Sequence, residues 1–250
     1  MPVIFITDAL IFILLVVAGL FAWYSSRHEH LRAPWRQVAH NPMAMASAVL
    51  LFFYIVIGLL DSVHFHPLIE NSQTGERQYA SEIRSLLDEL TVPLQEKTER
   101  TYSAPFAARS FSSEMIELPD GSEIRGYPRL EYGGSHLSDP ERERGTDILL
   151  KTVTGVIFGI LIWLIVAGII IRLLAFTDTV TFKKEVARIA GREKNIPWHV
   201  ILLTLAGVIV VATAVAYLSA FYHVLGTDKV GQDVLYNALK SVRTGLLIGT

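Results

Sequence analysis

Two pairs of histidines stand two residues apart, His28-Glu29-His30 and His64-Phe65-His66. On a strand that spacing turns both imidazoles to one face, where they could share a metal ion; on a helix they point about 200° apart and could not. Both pairs lie at the ends of apolar runs, where polar rings ordinarily anchor a chain, and anchoring is the role expected of them. Asp8 interrupts the first of these runs. A carboxylate within hydrocarbon is a candidate proton relay, but Asp8 stands so near the start of its run that capping of a helix beginning there is expected instead. Lys151 stands at a further run's end and can extend its ammonium outward. Phosphate-cradling G-x-x-x-x-G-K-[ST], metalloprotease H-E-x-x-H, nucleophile-elbow G-x-S-x-G and dinucleotide-binding patterns are all absent from the sequence. With no cysteine, thiolate metal sites and Cys nucleophiles are excluded. The balance of 22 Lys/Arg against 24 Asp/Glu gives no sign of a nucleic-acid partner.

The elements that carry these residues are apolar. Hydrophobic residues make up 51% of the 250 and charged ones 18%, which is oily for a globular chain. Runs at 3–24, 44–60, 152–171 and 200–222 approach or meet the roughly 17 to 25 residues that cross a hydrocarbon core about 30 Å thick. The first lacks a basic leader and a small-residue cleavage site, so a retained helix is expected and not a signal peptide. Arg27, Arg32 and Arg36 follow the first run; Arg172, Lys183, Lys184, Arg188, Arg192 and Lys194 lie between the third and fourth. Basic short loops stay on the cytoplasmic side. The expected layout is therefore a transmembrane helix at 1–24 with its N-terminus outside, a cytoplasmic loop at 25–43, a second helix at 44–60, and an extracytoplasmic cap at 61–147. A third helix at 148–176, a basic cytoplasmic loop at 177–198, a fourth helix at 199–222 and an outside turn at 223–250 complete it. The fold class expected is an all-α membrane protein with four transmembrane helices, the start of a fifth, and a small α+β extracytoplasmic insertion.

Residues 61–147 hold 9 Lys/Arg against 17 Asp/Glu, a net of −8, which sets them apart from the basic loops. Tyr79, Ile83, Leu86, Leu87 and Leu90 fall on one stripe of a helix that Pro93 would stop. Around Pro119-Asp120-Gly121 the pattern alternates, and a hairpin from Glu114 to Ile124 is expected.

The stretch HVLGTDKVGQDVLYNALKSVRTGLLIGT, from His223 on, asks for a sharp reversal at Gly226. Thr227 or Asp228 would then accept N–H groups at a new helix start, and Val230, Val234, Leu235, Leu239 and Val242 would form an apolar stripe. This stretch resembles the Gly-Thr-Asp-x-x-Gly-Arg-Asp-(Val/Leu)-Leu signature of dipeptide/oligopeptide/nickel-type ABC importer permeases, of the second permease subunit kind. Gly226, Thr227, Asp228, Gly231 and Asp233 carry it, flanked by Leu225, Val234 and Leu235 and followed by Arg243, Leu246, Leu247 and Gly249. Gln232 departs from it by standing where the family has Arg. Arg36, His40 and Asn41, ahead of the second run, also resemble the start of that family's first membrane helix. EVARIAGREKNIPWHVILLT is similar to the family's ATPase-coupling loop at Glu185, Ala187, Gly191, Ile201 and Leu203. Val186 and Thr204 miss that pattern, and the loop precedes the turn instead of following it. A basic amphipathic loop meeting anionic headgroups is the alternative reading of the same residues.

The resemblance implies the N-terminal part of a permease subunit in a bacterial inner-membrane importer, an extended variant whose given residues stop before the transport core. It would work by alternating access, with no cofactor in this chain and with ATP and Mg on partner ATPase subunits. A second permease subunit, ABC ATPase subunits, a periplasmic substrate-binding protein and the lipid bilayer are the implied partners, and the chain itself is not expected to be an enzyme. The other reading left open is a membrane-anchored scaffold or sensor whose acidic cap recruits a partner.

Overall fold

A computed structural model describes residues 2–3, 5–70, 77–117 and 123–249. Four of its helices are long and apolar enough to cross a membrane: α1 (Ile6–Arg27), α3 (Pro42–Ser62), α6 (Pro140–Thr177) and α8 (Trp198–Ser219). The chain turns out of α1 into the amphipathic helix α2 (Glu29–His40), so that most of the stretch expected as a loop at 25–43 is helical. Asn41 separates α2 from α3 because its side chain accepts the N–H groups of Met43 (2.9 Å) and Ala44 (3.4 Å), while Pro42 supplies a preset first turn. Arg36 and His40 sit on the last turns of α2.

The third long helix begins at Pro140, well before the expected 148. Local chemistry starts it early: the Asp139 carboxylate accepts the Glu141 N–H at 3.1 Å, Pro140 holds the first helical position, and Glu141 and Glu143 complement the helix dipole. The first helix runs from Ile6 to Arg27, not over 1–24. Past α6, a short basic helix α7 (Phe182–Ala190) leads to α8, and α9 (Val234–Gly249) follows the turn.

Between α3 and α6 lies the cap, built of short pieces. β1 (Pro2–Val3), β2 (His64–Phe65) and β5 (Arg84–Ser85) form one antiparallel sheet in the order β1-β2-β5, and β3 (Leu68–Glu70) pairs β4 (Arg77–Tyr79). The single helix expected along 79–90 does not form. Tyr79 ends β4, Arg84 and Ser85 form β5, and only α4 (Leu86–Leu90) is helical. Ser85 decides the boundary: its hydroxyl accepts the Asp88 N–H at 3.0 Å, and the Asp88 carboxylate accepts the Ser85 N–H at 2.9 Å, a closed cap that starts the helix there. Pro93 does not end that helix but lies in the first turn of α5 (Val92–Gln95). The expected hairpin is present as β6 (Glu114–Glu117) against β7 (Glu123–Gly126), register Glu114↔Gly126; its turn at Pro119-Asp120-Gly121 falls outside the described residues.

Two helix pairs organise the rest. On α6, Gly155 and Gly159 face α8 so closely that an added Cβ would stand 2.8 Å from the Ala214 Cα and 2.8 Å from the Val210 Cα. Small residues one turn apart thus let two apolar backbones approach, and Trp163 donates its indole N–H to the Leu202 carbonyl at 2.9 Å across the same seam. The second pair is α3 with α9, where Gly58 meets Leu246 and Gly245 meets the Tyr54 hydroxyl. Connectivity brings the start of α1, the end of α3, the start of α6, the end of α8 and the start of α9 to the cap, and puts α2 and α7 at the helices' opposite ends. The acidic and basic segments of the sequence are therefore separated by the length of a helix, about 33 Å for 22 residues.

Candidate functional site

Residues 223–234 close into a folded loop seated on the cap. Gly226 has φ +77° and Gly231 φ +85°; a side chain at the first would run into the Ser103 carbonyl and at the second into the Glu99 carbonyl. Both positions combine a left-handed backbone with a close approach that only glycine tolerates. Thr227 is wholly buried: its N–H donates to the Ser103 carbonyl at 3.2 Å, and its hydroxyl lies 2.9 Å from the Thr101 carbonyl and 3.0 Å from Ser103 Oγ. Asp228 accepts the N–H groups of Val230 and Gln232 through one oxygen, both at 2.9 Å, and so shapes the loop's interior. Helix α9 is capped by neither of the residues expected to do it. Asp233 takes that role, accepting the Leu235 N–H at 2.8 Å, because two loop N–H groups already occupy Asp228 and cap backbone occupies Thr227. Val230, expected on the helix's apolar stripe, lies exposed in the loop, whereas Leu235 and Leu239 line a groove with Leu90, Leu94, Ala212 and Ala216.

Beneath the loop is a buried charge triad that the sequence did not disclose. His223 Nδ1 lies 2.7 Å from Asp233 Oδ2 and Nε2 lies 3.3 Å from Glu99 Oε1. Glu99 also accepts the N–H groups of Glu131, Tyr132 and Gly133 at 2.9, 2.9 and 3.1 Å. Burial alone would push the Glu99 carboxyl up, but His223 and these three N–H groups outweigh it and hold it at about 2. Burial alone would push the His223 imidazole down, but Asp233 and Glu99 lift it to about 9. The ring is therefore an imidazolium at neutral pH, donating from both nitrogens. Asp233 joins the two halves of the site, one oxygen on the histidine and the other on the helix cap. Phe106 completes the seat: at φ 54° its N–H donates to the His223 carbonyl at 3.0 Å, a strained conformation for an aromatic residue that the surrounding contacts hold in place.

Further charges tie the first turns of α9 to the cap and to the helix ends beside it. Arg243 pairs with Asp8, which is fully buried, and also reaches the Thr7 hydroxyl. Asp8 accepts the Phe5 N–H at 3.0 Å, so the capping role expected for it is present, and the same oxygen meets His64 Nδ1 at 3.0 Å. Lys240 pairs with Asp88 at 2.8 Å, Tyr236 donates to the same Asp88 oxygen at 2.8 Å, and Ser85 donates to Asp61 at 3.0 Å. Lys151 reaches back one turn toward the cap, 3.4 Å from Asp147, with its ammonium 3.5 Å above the Phe221 ring.

The stretch 185–191 has a different organisation. Glu185, in α7, is fully buried; it pairs with Lys194 and, at 3.3 Å, with Arg188. Asp178 meets the same two cations at 3.0 Å each. Gly191 ends α7 with a right-handed backbone, and Ala187 is exposed. Four charges within 178–194 thus staple the loop to itself.

Neither histidine pair gathers metal ligands. His66 donates to the Ala80 carbonyl at 2.8 Å while His64 faces Asp8, and the rings of His28 and His30 stand 6.2 Å apart, with His28 Nδ1 on the Tyr24 carbonyl at 3.0 Å. Among the described residues no three His, Asp or Glu side chains are grouped to hold a metal ion. No family model, no curated protein and no solved structure matches the chain.

Proposed function

We propose that the chain belongs to a multi-pass membrane permease, in which α9 opens a helical pathway and the cap fixes its outer end. More narrowly, we infer a permease subunit of a bacterial inner-membrane ABC importer for peptides or similar small solutes. The observation that carries this reading is the seated turn. Gly226, Thr227, Gly231 and Asp233, four of the residues that resemble the permease signature, each make a contact that the loop needs, and together they launch α9 against α3. A turn held from below by Glu99 and His223, with Lys240 and Arg243 anchoring the next two turns, suits a pathway helix whose outer end stays fixed while distant parts move.

In this reading the cap faces the extracytoplasmic side and α2 and α7 face the cytoplasm, as the segregation of basic residues favours. ATP and Mg sit on partner ATPase subunits, a second permease subunit completes the pathway, and a periplasmic binding protein delivers the solute. Any ATPase contact at α7 falls to its exposed face at Ala187 and Lys184, since Glu185 is committed to Lys194 and Arg188.

Uptake by cells carrying the native gene tests it. Deletion is expected to abolish ATP-dependent accumulation of labelled di- to oligopeptides or of nickel. Complementation with Gly226→Val is expected to fail, and with Lys229→Ala, in the exposed part of the same loop, to succeed. A deletion strain that accumulates the whole panel at the normal rate would refute the transport reading and leave the scaffold or sensor reading in its place.

A further inference from the structure

At the end of α1 remote from the cap, α1 and α2 enclose a groove of about 390 Å³ lined by Ala18, Phe21, Ala22, Ser25, Ser26, Arg32 and Trp35. Ala18, Phe21, Ala22 and Ser25 follow one another along a single face of α1, and Arg32 and Trp35 stand one turn apart on α2. The wall is thus apolar for about two turns and ends in a cation and an indole.

Two observations bear on what the polar end of the groove can take. The Ser25 hydroxyl is buried, with the residue 4% exposed, and has no hydrogen-bond partner. A serine in a helix ordinarily returns its hydroxyl to a carbonyl one turn earlier, as Ser62 does to Gly58 at 2.8 Å; Ser26, beside it, donates to the Trp23 carbonyl at 2.7 Å. A buried hydroxyl without a partner is unfavourable, so a donor left free here has an acceptor to meet. The second observation is Arg32, which lines the groove beside Trp35 and forms no ion pair among the described residues.

We propose that this groove binds one anionic phospholipid. The phosphate is held by the Arg32 guanidinium and the Ser25 hydroxyl, an acyl chain lies along Ala18, Phe21 and Ala22, and Trp35 sits at the level of the glycerol backbone, where indoles concentrate. An amphipathic occupant fits better than a free anion because only one end of the groove is polar. Basic pockets between membrane helices on the cytoplasmic side are where anionic headgroups collect. The inference needs α1 to lie in a bilayer and does not depend on the transport reading, so a failed uptake assay leaves it standing.

Native mass spectrometry of the native protein in detergent with equal amounts of phosphatidylglycerol and phosphatidylcholine tests it. One phosphatidylglycerol is expected to survive activation that strips phosphatidylcholine. Arg32→Gln is expected to weaken its binding about tenfold and Ser25→Ala about threefold, while Arg36→Gln, on the same helix but outside the groove, stays within about twofold. Because Ser25 is unpartnered without lipid, Ser25→Ala is also expected to leave thermal stability in phosphatidylcholine unchanged or raised, which a merely structural serine would not do. Equal retention of the two lipids, displacement of phosphatidylglycerol by millimolar inorganic phosphate, or undiminished binding in a folded Arg32→Gln protein would each overturn the proposal. The lipid comparison on the unaltered protein decides it even where a variant fails to fold.

Discussion

The loops at 223–234 and 178–194 each bury a carboxylate and each contain a glycine that resembles a permease motif, yet their charges reach different distances. Glu99 meets a histidine 124 positions along the chain, and Asp233 ties that histidine to the start of α9. Glu185 finds Arg188 three positions on, and its other partner, Lys194, belongs to the same short loop. A contact between distant positions closes a long stretch of chain and couples the elements at its two ends. A local one fixes only the conformation of its own loop. The first loop is therefore a joint between cap and helix bundle, and the second is a staple.

The largest effect that separates them is expected from Glu99→Ala. The change leaves His223 buried with one carboxylate in place of two and removes the acceptor of three backbone N–H groups, a loss on the order of 3–5 kcal/mol. Unfolding of the purified protein in detergent measures it. Hydrogen exchange locates it: faster exchange is expected at both 101–105 and 223–234. If 223–234 stays as protected as before, the triad is not a joint.

A smaller effect follows from pH. The Glu99 carboxyl is held at about 2, below its ordinary 4.5, so its contribution is present above pH 4.5 and fades as pH falls from there toward 2. The His223 imidazole is raised to about 9 from 6.5, so its contribution is full below pH 6.5 and fades as pH rises from there through 9. Protection of 223–234, corrected for the intrinsic exchange rate, is expected to be highest between about pH 4.5 and 6.5 and to decline on the alkaline side. His223→Gln is expected to flatten that alkaline limb. A limb that persists in the variant would assign the titration to another group.

The long elements were legible because one signal dominates each. Four apolar runs, with Asp8 the one charge among them, suffice for four apolar helices, but hydropathy alone puts the start of the third at 148, whereas the Asp139-Pro140 cap starts it at Pro140. The cap was less legible. The stripe at Tyr79, Ile83, Leu86, Leu87 and Leu90 suggested one helix, but the Ser85-Asp88 cap starts the helix late and pairing with β2 and β3 claims the residues before it. In the site, Gly226 was readable because a left-handed turn leaves glycine in the sequence, while Gly231 stood out only through the resemblance. Glu99 and His223 were not, since periodicity reports a residue's own element and says nothing of a partner more than a hundred positions away. Lys240 and Arg243 left one signal in the sequence, their spacing three apart on a helix otherwise striped with apolar residues.

The smallest effect is expected from Glu185→Gln, and it bears most directly on the comparison. Glutamine keeps an acceptor oxygen for Arg188, and Asp178 still holds Arg188 and Lys194 at 3.0 Å each. Asp178 is also solvated, so added salt screens part of what remains. A loss of about 1 kcal/mol is expected, since both cations keep a second partner. Faster exchange is expected over 178–194 alone, with 101–105 and 223–234 unchanged. Should Glu185→Gln loosen the turn as well, strain at the basic end would be reaching the cap through the Gly155 and Gly159 seam of α6 and α8. That seam would then be a transmitting element, and the loop at 178–194 would be part of the joint and not a staple confined to itself.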